Sequence, residues 1–455
     1  MKARSAVPPR QKPAPSTSPP APPEAIELRI EKLIFGGEGL ARREGTTVFV
    51  PFVLPSERIT AEAREQKKNF IRARLERVIE PSAERVPALC PHFTLCGGCD
   101  YQHIGYAAQL RYKGDILRET LRRLGKIDWT GEIKTHSSDP WRYRNRAQWK
   151  VRPNPERIPS GRDDLAIGYF RAHSTSLCAV HDCPVLSPVL LKTMLALRDA
   201  LAKDLPRELR EVEAFTDEVP GKWDSRVLLT LTMAGFPSRL AEHARNLQTI
   251  VPELSSLLFH DPSADRMELF GPGFIPYPVG ERNYRVGHFS FFQVNRFLLE
   301  QLAREVVDGE ARSELALDLF AGVGLFSTPL GGKFERVIAV ESNPAAVRDL
   351  EVNTRENPKI ECRTADVDEF LDRFRGRPDL VVVDPPRAGL SRNSVRRIAQ
   401  MAPGRFTYVS CEPPTLARDL RGLLDAGYEI SDLHLFDLFP ETFHMETVVR
   451  LRRRS

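Results

Sequence analysis

Ala316-Leu317-Asp318-Leu319-Phe320-Ala321-Gly322-Val323-Gly324-Leu325 decides the fold. An apolar run of strand length ends in a glycine loop, and a helix is expected to start near Phe326. A lone Gly-x-Gly is a weak signal. It gains weight from Val337-Ile338-Ala339-Val340-Glu341, a second apolar run ending in an acid about 20 residues on, where an acid bonds ribose hydroxyls. Ala365-Asp366 ends the next short segment, and Asp366 is placed to hold an adenine amine. From residue 296 onward helix and strand patterns alternate, which predicts a doubly wound α/β sheet. The loop, with Gly322 and Gly324, is shorter than a dinucleotide fingerprint. It suits S-adenosylmethionine, which has no pyrophosphate to cradle.

Further along, Phe406-Thr-Tyr-Val409-Ser410-Cys411-Glu412-Pro413-Pro414 reads as a buried strand that delivers a thiol at its C-terminal end, where open α/β sheets bind ligands. Leu380-Val381-Val382-Val383 is a similar strand, ending in Asp384-Pro385-Pro386-Arg387. His444-Met445-Glu446 places a carboxylate ahead of the apolar Thr447-Val448-Val449. The chain therefore offers a nucleophile, Cys411, and a potential base, Glu446, beside a cofactor loop.

The remaining sequence adds domains in front of this sheet. With 455 residues the chain has room for about three domains. The net charge of +5 is mild, but basic clusters gather in the first half. No stretch approaches the roughly 20 apolar residues of a membrane span, and the basic N-terminus lacks the apolar segment of a secretory signal. A cytoplasmic protein is expected. Residues 1–24 read as a disordered Pro-rich tail. Residues 25–82 read as an OB-like β-barrel of five short strands. Arg72 and Arg74 lie on one face, Lys67, Lys68 and Phe70 are nearby, and the surface suits RNA. An amphipathic helix is expected over 104–124, with Leu110, Leu117, Leu121 and Leu124 on its apolar face. Trp141-Arg-Tyr-Arg-Asn-Arg-Ala-Gln-Trp-Lys150 interleaves cations with aromatics. It reads equally as an RNA-binding strand or as a half-buried strand with a solvated basic face.

Seven cysteines, an odd number, argue for metal or catalytic use over a disulfide framework. Cys90, Cys96 and Cys99, with Gly97-Gly98 between the last two, have metal-ligand spacing. A closed site needs a fourth thiolate, Cys178 or Cys183, and the Cys183-Pro184 step favours Cys183. The spacing alone permits zinc or an iron–sulfur cluster.

Taken together, these motifs resemble the RNA uridine C5-methyltransferases, specifically the iron–sulfur-containing bacterial type that acts on 23S rRNA. The resemblance covers everything after about residue 25. Gly36-Gly-Glu-Gly-Leu-Ala-Arg42 resembles a TRAM domain, and the cysteine block resembles the family's [4Fe–4S] site. The remaining matches are Phe291-Phe-Gln-Val-Asn295, Asp318-Leu-Phe-Ala-Gly-Val-Gly324, Asp384-Pro-Pro-Arg-Ala-Gly389, Ser410-Cys-Glu-Pro-Pro-Thr-Leu-Ala-Arg-Asp419 and Phe439-Pro-Glu-Thr-Phe-His-Met-Glu446. Two positions differ: Leu325 stands where relatives often carry Asn, and Glu412 replaces the usual Asn.

The resemblance implies three ordered domains: the TRAM barrel (25–82), a central α+β iron–sulfur domain (83–290) and a Rossmann-like S-adenosylmethionine-dependent catalytic domain (291–455). It implies Cys90, Cys96, Cys99 and Cys183 as cluster ligands. It adds Gln293, Phe320 and Asp384 to Gly322, Gly324, Glu341 and Asp366 as cofactor contacts. It implies Cys411 as the nucleophile that adds to uracil C6, and RNA as the partner, with no membrane and no obligate protein partner. Two rivals are the same chemistry on a tRNA uridine, against which the cysteine block argues, and a metal-bearing RNA-binding module with an inert catalytic half.

Overall fold

The protein is described by a computed structural model covering residues 25–153, 165–201, 205–307 and 312–454. The expected tail over 1–24 lies outside the described residues. The N-terminal barrel-like sheet has strands β1 (Ala25–Arg29), β2 (Lys32–Leu33), β3 (Glu38–Arg43), β4 (Thr46–Pro51), β5 (Arg58–Gln66) and β6 (Phe70–Glu80). Its order is β1-β5-β6-β4-β3-β2, six strands where the pattern predicted five. The extra one, β2, has two residues, too short for any periodicity to mark it. Alternating residues such as Ile26, Leu28, Val48, Val50, Ile59 and Ala61 fill its core.

Helix α1 (Tyr106–Gly125) and strand β7 (Lys134–His136) follow. The buried face of α1 carries Ile116, Leu117 and Leu121, but also Gln109 and Lys113, while Leu124 is 57% exposed, contrary to the expected leucine face. The next sheet contains β8 (Arg146–Pro153), β9 (Leu165–Phe170), β10 (Leu177–Ala179), β11 (Leu209–Thr216), β12 (Val227–Met233), β13 (Leu254–Asp261) and β14 (Arg266–Phe270). It runs β10-β9-β8-β11-β12-β13-β14. Helices α2 (Pro188–Ala200) and α3 (Leu240–Ile250) lie between its strands in the chain, and a hairpin of β15 (Phe274–Val279) and β16 (Arg282–Gly287) comes after it.

The cations of β8, for which an RNA-binding and a half-buried reading stood equal, are partly paired internally. Tyr143 and Trp149 are buried, Arg146 pairs with Glu213, and Lys150 pairs with Glu211. The half-buried reading of this strand is the one realised.

The catalytic half begins with α4 (Leu299–Val307) and then alternates strictly: β17 (Ser313–Leu319), α5 (Ser327–Leu330), β18 (Phe334–Glu341), α6 (Pro344–Thr354), β19 (Ile360–Thr364), α7 (Val367–Arg373), β20 (Leu380–Val383), α8 (Arg392–Met401), β21 (Arg405–Ser410) and α9 (Pro413–Asp425). It ends with the antiparallel pair β22 (Tyr428–Phe436) and β23 (Glu446–Arg453). The eight-stranded order is β19-β18-β17-β20-β21-β23-β22-β7. The first five strands are parallel; β17, β18, β20 and β21 bury apolar runs, whereas the edge strand β19 is half-buried to exposed. The eighth strand, β7, comes from far upstream and pairs with β22. No helix among the described residues is long and apolar enough to cross a membrane.

Candidate active site at the switch point of the sheet

The strand order reverses between β17 and β20, and the crevice beyond their C-terminal ends is where doubly wound sheets bind ligands. Phe320 follows β17 directly with φ +64°, a left-handed turn rarely adopted by a large residue. Gly322 and Gly324 continue the turn at +55° and +92°. A Cβ on Gly324 would lie 2.8 Å from Leu350, so glycine is needed there for both φ and space.

Glu341, the last residue of β18, accepts from the Gly322 N–H at 2.9 Å and from the Ser342 and Asn343 N–H groups at 2.8 Å. It thus ties the glycine loop to the neighbouring strand end. Asp366 is exposed and caps α7, its Oδ1 accepting from Asp368 N–H at 2.8 Å. That helix cap is a role the sequence reading did not assign to it. Leu325 is buried in the apolar cluster that also holds Phe292, Val409 and Val448. This cluster brings the segment carrying Gln293, itself buried, up to the glycine loop and the strands beside Cys411.

Two residues unmarked by the sequence reading hold that segment. Asp349 on α6 accepts from Arg285 Nε, Gly287 N–H and Ser290 Oγ, each at 2.6 Å. Asn353, one turn on, bonds both backbone groups of Arg285 and donates to Val323 O of the glycine loop at 2.9 Å.

The thiol lies on the other side of the switch point. Ser410 pairs with Thr447, so Cys411 and Glu446 continue the same antiparallel rungs at the mouth of the sheet. Asp384 follows β20, which pairs with β21. Pro413 and Pro414 stop the strand and also occupy the first turn of α9, where a missing N–H costs nothing. Helix α9 then braces the Asp384–Leu390 loop. Thr415 Oγ1 donates to Arg387 O at 3.0 Å, Arg418 donates to Ala388 O and Leu390 O, and Asp419 accepts from Leu390 N–H at 2.7 Å. The spacing of that motif therefore has a structural cause.

The electrostatics are unusual. Burial, then the charges of Glu446 and Asp384, push the Cys411 thiol up to about 12; Glu412 adds to this and Arg387 opposes it. Burial, with Asp384 second, holds the Glu446 carboxyl well above the ordinary range. Its Oε1 is buried without a hydrogen-bond partner. Asp384 is pushed up to about 7 by burial and by Asp318. Asp318, fully buried inside β17, is also raised to about 7 by burial. It accepts from Ser327 Oγ while its Oδ1 has no partner. The sequence did mark Asp318, as one acid within an apolar strand, but the reading passed over it. Buried acids with unpartnered oxygens fit a cationic ligand.

Away from this crevice, Cys90, Cys96, Cys99 and Cys183 line one cavity of about 40 Å³ with Arg144 and Tyr169. Cys178 is on β10, hydrogen-bonded to Cys96, and does not line it. Among the described residues no group of three or more Cys, His, Asp or Glu is close enough to hold a single metal ion.

An α/β enzyme with a thiol and buried acids gathered around the C-terminal ends of its central strands is the class that this fold and site define. The family model described as tRNA (Uracil-5-)-methyltransferase matches residues 277–454. A protein of Aquifex aeolicus described as an uncharacterized RNA methyltransferase is 34% identical over 444 residues, 94% of this chain and 98% of that one. The 23S rRNA (uracil(1939)-C(5))-methyltransferase of Shewanella halifaxensis is 31% identical, covering 93% of this chain and 94% of that one. The Pyrococcus abyssi tRNA (uracil-54, C5)-methyltransferase, solved with S-adenosyl-L-homocysteine, superposes with a TM-score of 0.71 at 26% identity, covering 94% of this chain and 100% of that one. The chain belongs to the RNA (uracil-5-)-methyltransferase family.

Proposed function

We propose that the enzyme methylates C5 of one uridine in 23S rRNA through a covalent adduct between Cys411 and uracil C6. The observation that carries this is the Cys411 thiol set beside the buried carboxyls of Glu446 and Asp384 at the sheet's switch point. Uracil C5 is too weak a nucleophile to take a methyl group unaided. The Cys411 thiolate adds to C6, and the electron pair moves through C5 to O4, making C5 an enolate carbon. S-adenosylmethionine, when bound, supplies the electrophilic methyl. Glu446 then takes the C5 proton, the C5–H pair forms the C5=C6 bond, and the C6–S bond breaks to release the thiolate. The unpartnered Oε1 of Glu446 is the acceptor. Asp318 and Asp384 supply negative charge toward the cofactor's sulfonium and ammonium groups. Gln293, Phe320, Gly322, Gly324, Glu341 and Asp366 form the rest of its surroundings. The target uridine leaves its stack to enter the crevice. The cytoplasm, where such RNA is found, is the place of action.

The N-terminal sheet is read as the TRAM-type RNA grip, and the four-cysteine cavity as a [4Fe–4S] site. Four thiols lining one cavity, alongside His92 and Asp182, suit a multi-iron cluster, whose thiolates stand further apart than the ligands of one ion. Cys90, Cys96, Cys99 and Cys183 would hold it, cross-linking residues 90–99 to residue 183.

The Shewanella relative supports rRNA as substrate. The Pyrococcus neighbour favours a second reading, a tRNA uridine. Incubating the protein with labelled methyl donor and either unmodified 23S rRNA or unmodified tRNA, then mapping the label, separates the two. Label at C5 of one rRNA uridine is expected; label in tRNA alone overturns the choice of substrate, and label in neither overturns the activity.

A further inference from the structure

The hairpin between β22 and β23, residues 437–445, leads into Glu446 and is held from outside the catalytic sheet. Lys113 on α1 is fully buried and donates to Asp437 Oδ1 at 2.6 Å and to Phe439 O at 3.1 Å. Gln109, one turn earlier, accepts from Glu441 N–H at 3.1 Å through Oε1, while its Nε2 donates to Tyr101 O and Ile104 O. The Asp100 and Tyr101 N–H groups both donate to Glu441 O at 2.9 Å, directly after Cys99. Glu441 is in the left-handed region at φ +67°, a conformation that needs such restraint. Helix α1 otherwise packs on α9, which begins just past Cys411. One helix therefore braces both the nucleophile's helix and the base's hairpin.

We propose that Lys113 and Gln109 are positioning residues for proton removal: α1 clamps the hairpin so that the Glu446 carboxylate stays in register with C5 of the Cys411-bound uridine. This rests on Glu446 being the base. Lys113 and Gln109 make no hydrogen bond to the glycine loop or to Cys411, and the hairpin keeps its own tie to the Gln293 segment through Asn295 Nδ2 and the Asp437 and Leu438 carbonyls, so cofactor binding and adduct formation proceed without the two clamp side chains. Only the step that needs Glu446 at a defined distance suffers. A displacement of about 1 Å at a reacting group costs on the order of 100-fold in rate.

The test uses the full-length enzyme, an unmodified 23S rRNA transcript tritiated at uridine C5 and a carbon-labelled methyl donor, in single turnover. Lys113→Met alone strands the Asp437 charge, so it is paired with Asp437→Leu; Gln109→Met is the second, independent variant. Ile116→Val, in the α1 core but off the hairpin, controls for general loosening. In both clamp variants tritium release should slow at least about tenfold while methyl transfer changes little. A methyl-labelled RNA–protein adduct should then accumulate on denaturing gels. Ile116→Val should show no adduct. If tritium release and methyl transfer fall together, or if only the melting temperature changes, the clamp has no positioning role. Glu446→Gln run alongside separates the two ideas. Adduct in Glu446→Gln but not in the clamp variants overturns the clamp alone; no adduct in Glu446→Gln overturns the base assignment beneath it.

Discussion

At the scale of single residues, the site sets up a conflict between its groups. A nucleophilic thiolate is wanted where Glu446, Asp384 and burial all oppose it. The carboxyl that raises the thiol's pKa is also the proposed base, and burial raises both groups. Two measurements follow. Glu446→Gln removes a negative neighbour, so the Cys411 pKa should fall by about one unit and alkylation by iodoacetamide at fixed pH should quicken on the order of tenfold. An unchanged or higher thiol pKa would separate the two groups electrostatically. Asp318 and Asp384, both raised to about 7, are neutral below that pH and charged above it. A cationic ligand favours the charged form. Affinity for S-adenosylmethionine should therefore strengthen between roughly pH 5.5 and about 7.5 relative to S-adenosylhomocysteine, which lacks the sulfonium charge. Parallel pH profiles by calorimetry would remove these acids from the cofactor's charge recognition. Cys411, Glu446 and Asp384 were legible in the sequence because each follows or precedes its own apolar run. Asp318 was harder to read because its strand continues on both sides of it.

At the scale of elements, α6 and α9 act as braces. Asp349 satisfies three donors of the 285–290 turn, and Asn353 ties that turn to the glycine loop. Asp349→Ala leaves those donors, two of them buried, without an acceptor, at about 1–3 kcal/mol. It should weaken cofactor binding several-fold while Cys411 alkylation is unchanged; unaltered cofactor affinity by calorimetry would show that the turn is held by other contacts. The alternation of helices and strands was predictable from periodicity, since each run is local. The inner face of α1 was not. Lys113 looks like a solvent-facing cation until Asp437, 324 residues away, is brought beside it. The cations of β8 left two readings equally open for the same reason, because their partners Glu211 and Glu213 lie on another strand.

At the scale of the whole molecule, the parts meet at the 437–445 hairpin. Its Phe443 stacks edge-on to Phe35 of the barrel with centroids 5.4 Å apart, and a Cβ on Gly37 would sit 3.2 Å from the same ring. The cysteine loop, α1 and Tyr143, whose OH donates to Pro440 O, complete the contact. A four-iron cluster in the cysteine cavity predicts brown protein after anaerobic purification, with iron and sulfide near about four each per chain. Cys183→Ser should abolish it and Cys178→Ser should spare it. Stoichiometric zinc without sulfide, or the reverse pattern of the two variants, would contradict the ligand set. The Cys-x2-Cys spacing made three of these residues visible in the sequence, and Cys183 lines the same cavity as they do.

The covalent mechanism is tested most directly by mixing Glu446→Gln with unmodified 23S rRNA and S-adenosylmethionine labelled in its methyl group, and running a denaturing gel. A slow-migrating RNA–protein band that carries the label, and that is absent when Cys411→Ala is added, is expected. Normal turnover by Glu446→Gln would mean that another group is the base, and methylation by Cys411→Ala would contradict the covalent mechanism outright.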